Sequence, residues 1–144
     1  FYEYGEKVTS LSASMGKSGG ILFFDLDGLK TINDTYGHKI GDLAIKLESY
    51  VIKTAFRESD VVGRLSGDEF GVVAPGFPSR KIDYLREKLI KLNEQISKEN
   101  NLPFTLSISV GCVDFSPASC DFQALLKQAD EKLHEEKRIK HSRR

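Results

Sequence analysis

"DVVGRLSGDEFGVVAP", residues 60–75, consists of two short apolar runs joined by a turn of Gly, Asp and Glu. Valine-rich runs on either side of a Gly-containing turn predict a β-hairpin, which makes its two strands antiparallel neighbours. The tip of that hairpin is acidic, with Asp68 followed by Glu69. Upstream, "GGILFFDLD" (19–27) predicts a buried strand opened by two glycines and ending in Asp25 and Asp27. Downstream, "FTLSISVGCVDF" (104–115) alternates as a strand does. Helical spacing recurs in Ile40, Leu43, Ala44, Leu47, Val51 and Ala55, in Ile82, Leu85, Leu89, Leu92 and Ile96, and in Phe122, Leu125, Leu126, Ala129 and Leu133. With a first helix over 2–16 and a helical turn opening after Asp27, the element order is αβααββαβα. Strands joined by helices and by a hairpin imply an α+β fold, with helices covering a mainly antiparallel sheet.

A chain of 144 residues, 40% hydrophobic and 29% charged, suits one globular domain over 1–144. No apolar run approaches the roughly 18 residues of a membrane span. The net charge is zero, but "KRIKHSRR" (137–144) holds five of the 21 basic residues, leaving 16 basic against 21 acidic residues over 1–136. A mildly acidic body excludes a duplex-DNA binder with a broad basic face, so no nucleic acid is expected as partner. Cys112 and Cys120 have neither CxxC spacing nor a His at ligand spacing, which points to free thiols in a reducing, cytoplasmic compartment. The first residues lack an initiator Met and a signal-peptide pattern and enter a helix already under way. A domain cut from a longer multidomain protein is therefore expected, N-terminally incomplete, with membrane anchoring by some other segment left open.

The chemistry lies in the carboxylates. Residues i and i+2 of a strand share a face, so Asp25 and Asp27 project together, with the Leu26 carbonyl between them. If the first strand pairs beside the hairpin, Asp68 and Glu69 join them, and such a cluster repels itself unless a cation sits within it. Oxygen ligands without His or Cys select Mg²⁺ or Mn²⁺, and Mg²⁺ held by few carboxylates normally serves phosphates. Gly28, Leu29 and Lys30 open the next helical turn, whose free N–H groups and lysine suit an anion. Taken alone, each feature has a plainer account. Asp27 could cap the helix after it, "SGDE" could be an ordinary turn, and Asp25 could be structural. "GKS" at 16–18 resembles the end of a P-loop, but Leu11 stands where its first Gly belongs and the segment precedes the strand.

Together, "ILFFDLDGLKTINDTYGHKIGD", "RESDVVGRLSGDEF", "LSISVGC" and "ADEKLHEEK" closely resemble the GGDEF family of diguanylate cyclases, over nearly the whole chain and in family order. The resemblance implies a central, mainly antiparallel five-stranded sheet flanked by helices, like the palm of nucleotidyl cyclases and polymerases. It also implies the reaction, two GTP to cyclic di-GMP and two pyrophosphates. By position, Asp25, the Leu26 carbonyl, Asp68 and Glu69 would hold Mg²⁺ or Mn²⁺, with Asp68 as proton acceptor. Asn33 and Asp42 would read guanine, whose N1–H and N2 amino group need an acceptor while O6 and N3 need a donor. His38 would lie near substrate. Lys137 and Arg143 would reach the triphosphate, and Lys30 would stabilise charge in the transition state. Without the resemblance, Asn33 could be a polar residue within a helix and Asp42 an N-cap.

Arg57 and Asp60 in "RESD", nine residues before the signature, match the RxxD motif through which the family binds its own product as an inhibitor, and Arg64 could add a second guanidinium. Four residues alone would equally fit a helix end with solvated charges. Ser66 replaces the first Gly of the signature, Leu29 the usual Phe, and His141 the first Arg of the family's terminal stretch. Because one domain holds one GTP while the product joins two, the catalytic unit is expected to be a transient homodimer. An unseen N-terminal sensory or regulatory domain would control it. Two other functions compete with active synthesis: a GGDEF module that signals by GTP or cyclic di-GMP occupancy, and a palm-type nucleotidyl transferase with another product.

Overall fold

The structure, a computed structural model, describes residues 1–142. Its elements run α1 (Tyr2–Ser14), β1 (Gly19–Leu26), α2 (Leu29–Tyr36), α3 (His38–Ala55), β2 (Val61–Ser66), β3 (Glu69–Pro75), α4 (Ile82–Glu99), β4 (Ile108–Phe115) and α5 (Phe122–Ser142), with a 3₁₀ turn before α4. This is the order read from apolar periodicity. The strands form one antiparallel sheet in the order β2-β3-β1-β4.

Among the described residues the sheet has four strands, not five. The segments flanking β4 spend their polar groups elsewhere. The Leu106 amide donates to Ser97 Oγ of α4, and Ser116 and Ser119 bond each other across a turn. For the same reason β4 begins at Ile108 although the alternating pattern begins at Phe104. A backbone donor taken by a neighbouring helix is lost to the ladder.

Alternation along β1 divides the core. Leu22, Phe24 and Leu26 face α3 and α4, packing with Ala44, Val51, Leu85 and Leu89. Ile21 and Phe23 face α1 and α5, packing with Phe122, Leu125, Ala129 and Leu133. A central strand covered on both faces has no solvent side for polar residues, which explains the uninterrupted "ILFF". The same alternation sends Asp25 toward α5.

Candidate active site

The β1–β3 register sets Asp25 directly opposite Glu69. The end of the buried strand and the tip of the hairpin thus meet, and Asp68 lies in the turn immediately before β3. On the other side Asp25 faces Ser109 of β4. Asp25, Asp68 and Glu69 are all half-buried.

Asp25 and Asp27 do share a face, and α5 meets both. Lys137 Nζ stands 2.8 Å from Asp25 Oδ2 and donates to the Leu26 carbonyl at 3.3 Å. One turn on, Lys140 Nζ stands 2.8 Å from Asp27 Oδ2 and also donates to the Ile108 carbonyl. The environments of the two acids nevertheless differ. Burial, reinforced by Asp68 and opposed by Lys137, pushes the Asp25 carboxyl up to about 7. Its Oδ1 is buried and has no hydrogen-bond partner. Burial also works against ionised Asp27, but hydrogen bonds from Lys140, Ser107 and Ser109 outweigh it and hold the group below its ordinary value.

Asp27 is therefore an anchor that ties α5 to the strand end. It does not cap α2, whose N-cap is Gly28 and has no side-chain cap bond. Asp27→Asn leaves Lys140 without its counter-charge and is expected to cost about 2–4 kcal/mol, read from the urea midpoint. The depressed value gives the sign with pH. Stability from Asp27 is complete above its unfolded value near 3.8 and is lost as pH falls through the lower folded value. Asp27→Asn should lack that acid-side loss, and an unchanged midpoint would refute the anchoring role.

Across the entrance, α2 and α3 are joined through Gly37, so Asn33 of α2 comes against the first turns of α3. A Cβ built on Gly41 would stand 1.7 Å from Asn33 Oδ1, so only Gly permits this approach. Asp42, the other expected guanine reader, follows Gly41 in the chain. Asp42, His38 and Lys30 are exposed. Gly28 has φ of 71°, a conformation L side chains rarely adopt, and open space where a Cβ would be. Arg143 lies outside the described residues.

Arg57 and Asp60 meet at a separate place. The Arg57 backbone N–H donates to Asp60 Oδ2 at 2.9 Å, and its guanidinium donates to Asp60 Oδ1 and to the Pro75 carbonyl. Asp60 is thus buried in a local clasp while 66% of the Arg57 side chain stays exposed. Together with Phe77, Lys81, Tyr84 and Lys88 they line a cleft of about 210 Å³. Arg64 is not brought to that cleft. It donates to the Gly67 carbonyl and lines another hollow with Ile45, Lys46 and Lys53.

One acid near the strand end is missing from the sequence reading. Glu48 of α3 is fully buried, neither carboxylate oxygen has a hydrogen-bond partner, and burial pushes it up to about 9. Its signal was present, because a charged residue four after Ala44 and three before Val51 falls on the buried stripe of α3. Among the described residues, no group of three or more His, Cys, Asp or Glu side chains stands close enough to hold one metal ion in common. The Lys137 ammonium, placed on both Asp25 and the Leu26 carbonyl, occupies the position between two of the expected ligands. Oxygen donors, an orphaned buried Oδ1 and a cation already seated there fit a hard divalent ion. No helix among the described residues is long and apolar enough to cross a membrane.

Residues 2–143 match the family described as "Diguanylate cyclase, GGDEF domain". Over 123 residues the chain is 34% identical to the probable diguanylate cyclase DgcC of Escherichia coli K12, covering 85% of this chain and 33% of DgcC. It is 37% identical over 124 residues to the cyclic di-GMP phosphodiesterase NbdA of Pseudomonas aeruginosa, covering 85% of this chain and 16% of NbdA. The chain thus spans a minor part of both relatives. Among solved structures, the GGDEF domain of YfiN, or TpbB, from Pseudomonas aeruginosa is similar with a TM-score of 0.81 and 27% identity, covering 96% of this chain and 88% of that one.

Proposed function

This chain belongs to the GGDEF family of diguanylate cyclases, and we propose on that premise that it condenses two GTP into cyclic di-GMP and two pyrophosphates at the end of β1. The observation that carries the reading is the Lys137 ammonium seated between Asp25 and the Leu26 carbonyl. The strand end gathers oxygen ligands around positive charge in the way a phosphate-serving Mg²⁺ site requires. Asp25, the Leu26 carbonyl, Asp68 and Glu69 are the residues that would hold Mg²⁺ or Mn²⁺. When bound, the ion would polarise the α-phosphate and ease ionisation of the attacking hydroxyl.

The chain's own groups do the rest. In each of two equivalent steps, the 3′ oxygen of one GTP bonds to the α-phosphorus of the other, the bond to pyrophosphate breaks, and the hydroxyl proton leaves to Asp68 or to water. Lys137 and Lys30 neutralise charge on the triphosphate, and the amides behind Gly28 face it. Asp42 accepts from guanine N1–H and N2, and Asn33 donates to O6 or N3. A site of this kind rejects ATP, which cannot offer the N2 donor.

Purified protein incubated with GTP or ATP and Mg²⁺, with products identified by mass, tests the reading. Cyclic di-GMP from GTP supports it, and GTP left intact overturns it. Two facing sites are needed for one product, so specific activity should rise with protein concentration. Constant activity down to a strictly monomeric sample would eliminate the dimer. A second reading, a regulatory nucleotide-binding module, is favoured by the likeness to NbdA, a protein named for phosphodiesterase activity. It requires binding of GTP or cyclic di-GMP with little or no turnover.

The cleft at Arg57 supports a product site. Asp60 is spent on the clasp, but the exposed guanidinium can fork onto a phosphate or the Hoogsteen edge of guanine. Cyclic di-GMP is expected to inhibit without competing with GTP, and Arg57→Ala to weaken its binding at least tenfold while sparing catalysis. Equal product affinity of both proteins by calorimetry would refute the site.

A further inference from the structure

Among the described residues β4 is an edge strand, so the N–H and C=O groups of its outer side have no strand to pair with. Two of them are met by side chains of α5 instead. Glu136 Oε2 accepts from the Val110 N–H, and Lys140, four residues on, donates to the Ile108 carbonyl at 3.0 Å. The Glu136 carboxylate is also held from the other side. Its Oε1 accepts from Arg86 Nε of α4 at 2.7 Å, and Arg86 in turn meets Asp83 at 2.7 Å. Only 15% of the Glu136 side chain is exposed, so the contact is a clasp of α4, β4 and α5 and not a solvated surface pair. Covering a strand edge protects any sheet from unwanted pairing. What sets Glu136 apart is its place, because the next residue is Lys137, whose ammonium meets Asp25 and the Leu26 carbonyl. Val110 lies opposite Phe24 and Ile108 opposite Leu26, so Glu136 and Lys140 grip the sheet on either side of Asp25. The buried apolar stripe of α5 ends at Leu133, which leaves the turns that carry Lys137 to be fixed by these polar contacts.

We propose that Glu136 is a positioning residue for Lys137, setting the rotation of α5 about its own axis so that the ammonium is presented at the strand end. Successive helix residues point about 100° apart, so fixing the direction of Glu136 fixes that of Lys137. With Lys140 alone the last turns have a single pivot. At about 5–6 Å from the helix axis, a rotation of about 20° carries a side chain by about 2 Å, enough to part the ammonium from a carboxylate 2.8 Å away. Glu136 acts through Lys137 and does not touch substrate. The inference rests on the proposed role of Lys137 at the triphosphate and adds to it the residue that aims it.

The test measures by calorimetry, on the whole 144-residue chain, the affinity for a GTP analogue with a methylene bridge between its α- and β-phosphorus, in Mg²⁺ and without turnover. Wild type is compared with Glu136→Ala, Lys137→Ala, the double variant and Glu136→Gln, which keeps an acceptor for the Val110 N–H. Loss of the ammonium in Lys137→Ala should weaken binding about 10- to 100-fold. Glu136→Ala should weaken it about 5- to 10-fold and Glu136→Gln by no more than about 3-fold, because the acceptor is retained. In the Lys137→Ala background Glu136→Ala should add nothing, since both changes act on one ammonium. A carboxylate that only covers the strand edge would instead lower the melting temperature and leave affinity intact. Should Glu136→Ala melt below the assay temperature, Glu136→Asp, whose shorter arm cannot reach both Val110 and Arg86, takes its place with the same expectation. If the Glu136 variant binds as wild type does while Lys137→Ala is weakened, or if it weakens binding equally in the Lys137→Ala background, the role of Glu136 is overturned and that of Lys137 stands. If Lys137→Ala binds as tightly as wild type, or wild type binds no analogue, the role of Lys137 itself falls and this inference with it.

Discussion

Asp68→Ala is expected to lower cyclic di-GMP formation by about 10³-fold or more with no loss of fold. Removing a carboxylate proposed to hold the ion and to take the hydroxyl proton should cost several kcal/mol of transition-state stabilisation, and each 1.4 kcal/mol is tenfold in rate. The fold should survive because Asp68 lies in the turn of the hairpin, outside the paired residues of β2 and β3. The change even relieves strain. Asp68 is one of the groups that raise Asp25, so without it Asp25 ionises more easily beside Lys137. Stability in urea should therefore be unchanged or slightly higher, while product measured by mass nearly vanishes. Undiminished turnover by Asp68→Ala would sink the assignment of the strand end as the reaction centre.

Motifs written along the chain could be read, but partners distant in sequence could not. "ILFF" announces a strand covered on both faces, and the two apolar runs around "SGDE" announce a hairpin, because strand period and turn chemistry are local. That Asp25 would stand opposite Glu69 is a matter of register, and register depends on which strands become neighbours. The lysine pair of α5 is the clearer case. Lys137 and Lys140 are three apart on a helix and Asp25 and Asp27 two apart on a strand end, so one turn of helix matches two steps of strand. Each spacing is visible in the sequence, but their match appears only when α5 lies along β1. The ambiguity of Asp27 ends there, in favour of an anchor. Phe104 to Ser107 alternate like a strand but lose the Leu106 amide to Ser97, a bond between residues nine apart that no pattern of apolar positions announces. Glu48 was legible as an acid on an apolar stripe. Its neighbours were not, since only the fold puts α3 behind the end of β1.

Gly41→Ala is expected to reduce kcat/KM for GTP by about 10²-fold while leaving the protein as stable as before or slightly more so. On helix propensity alone the change is favourable, since Ala is better than Gly in a helix interior by about 1 kcal/mol. Gly41 is buried in the first turns of α3, and there the added methyl meets Asn33. A Cβ would stand 1.7 Å from Asn33 Oδ1 and 2.9 Å from its Cγ, too close for any real contact. The obstacle is the end of a flexible side chain and not backbone, so Asn33 can turn away at small cost and the helices need not separate. If Asn33 reads guanine, turning it away removes a directed hydrogen bond to the base while Asp42, Lys30 and the acids of the strand end stay in place. The loss of one well-placed bond in a desolvated site corresponds to about 2–3 kcal/mol, or about 10²-fold, and discrimination against ATP should fall with it. Asn33→Ala provides the parallel, because it removes the same group without adding a methyl. The two variants should show matching losses, and the double variant should be no worse than either alone, since both act on a single contact. Full GTP turnover by Gly41→Ala would show that Asn33 does not read the base, and a drop in its melting temperature would show that the helices, and not Asn33, give way.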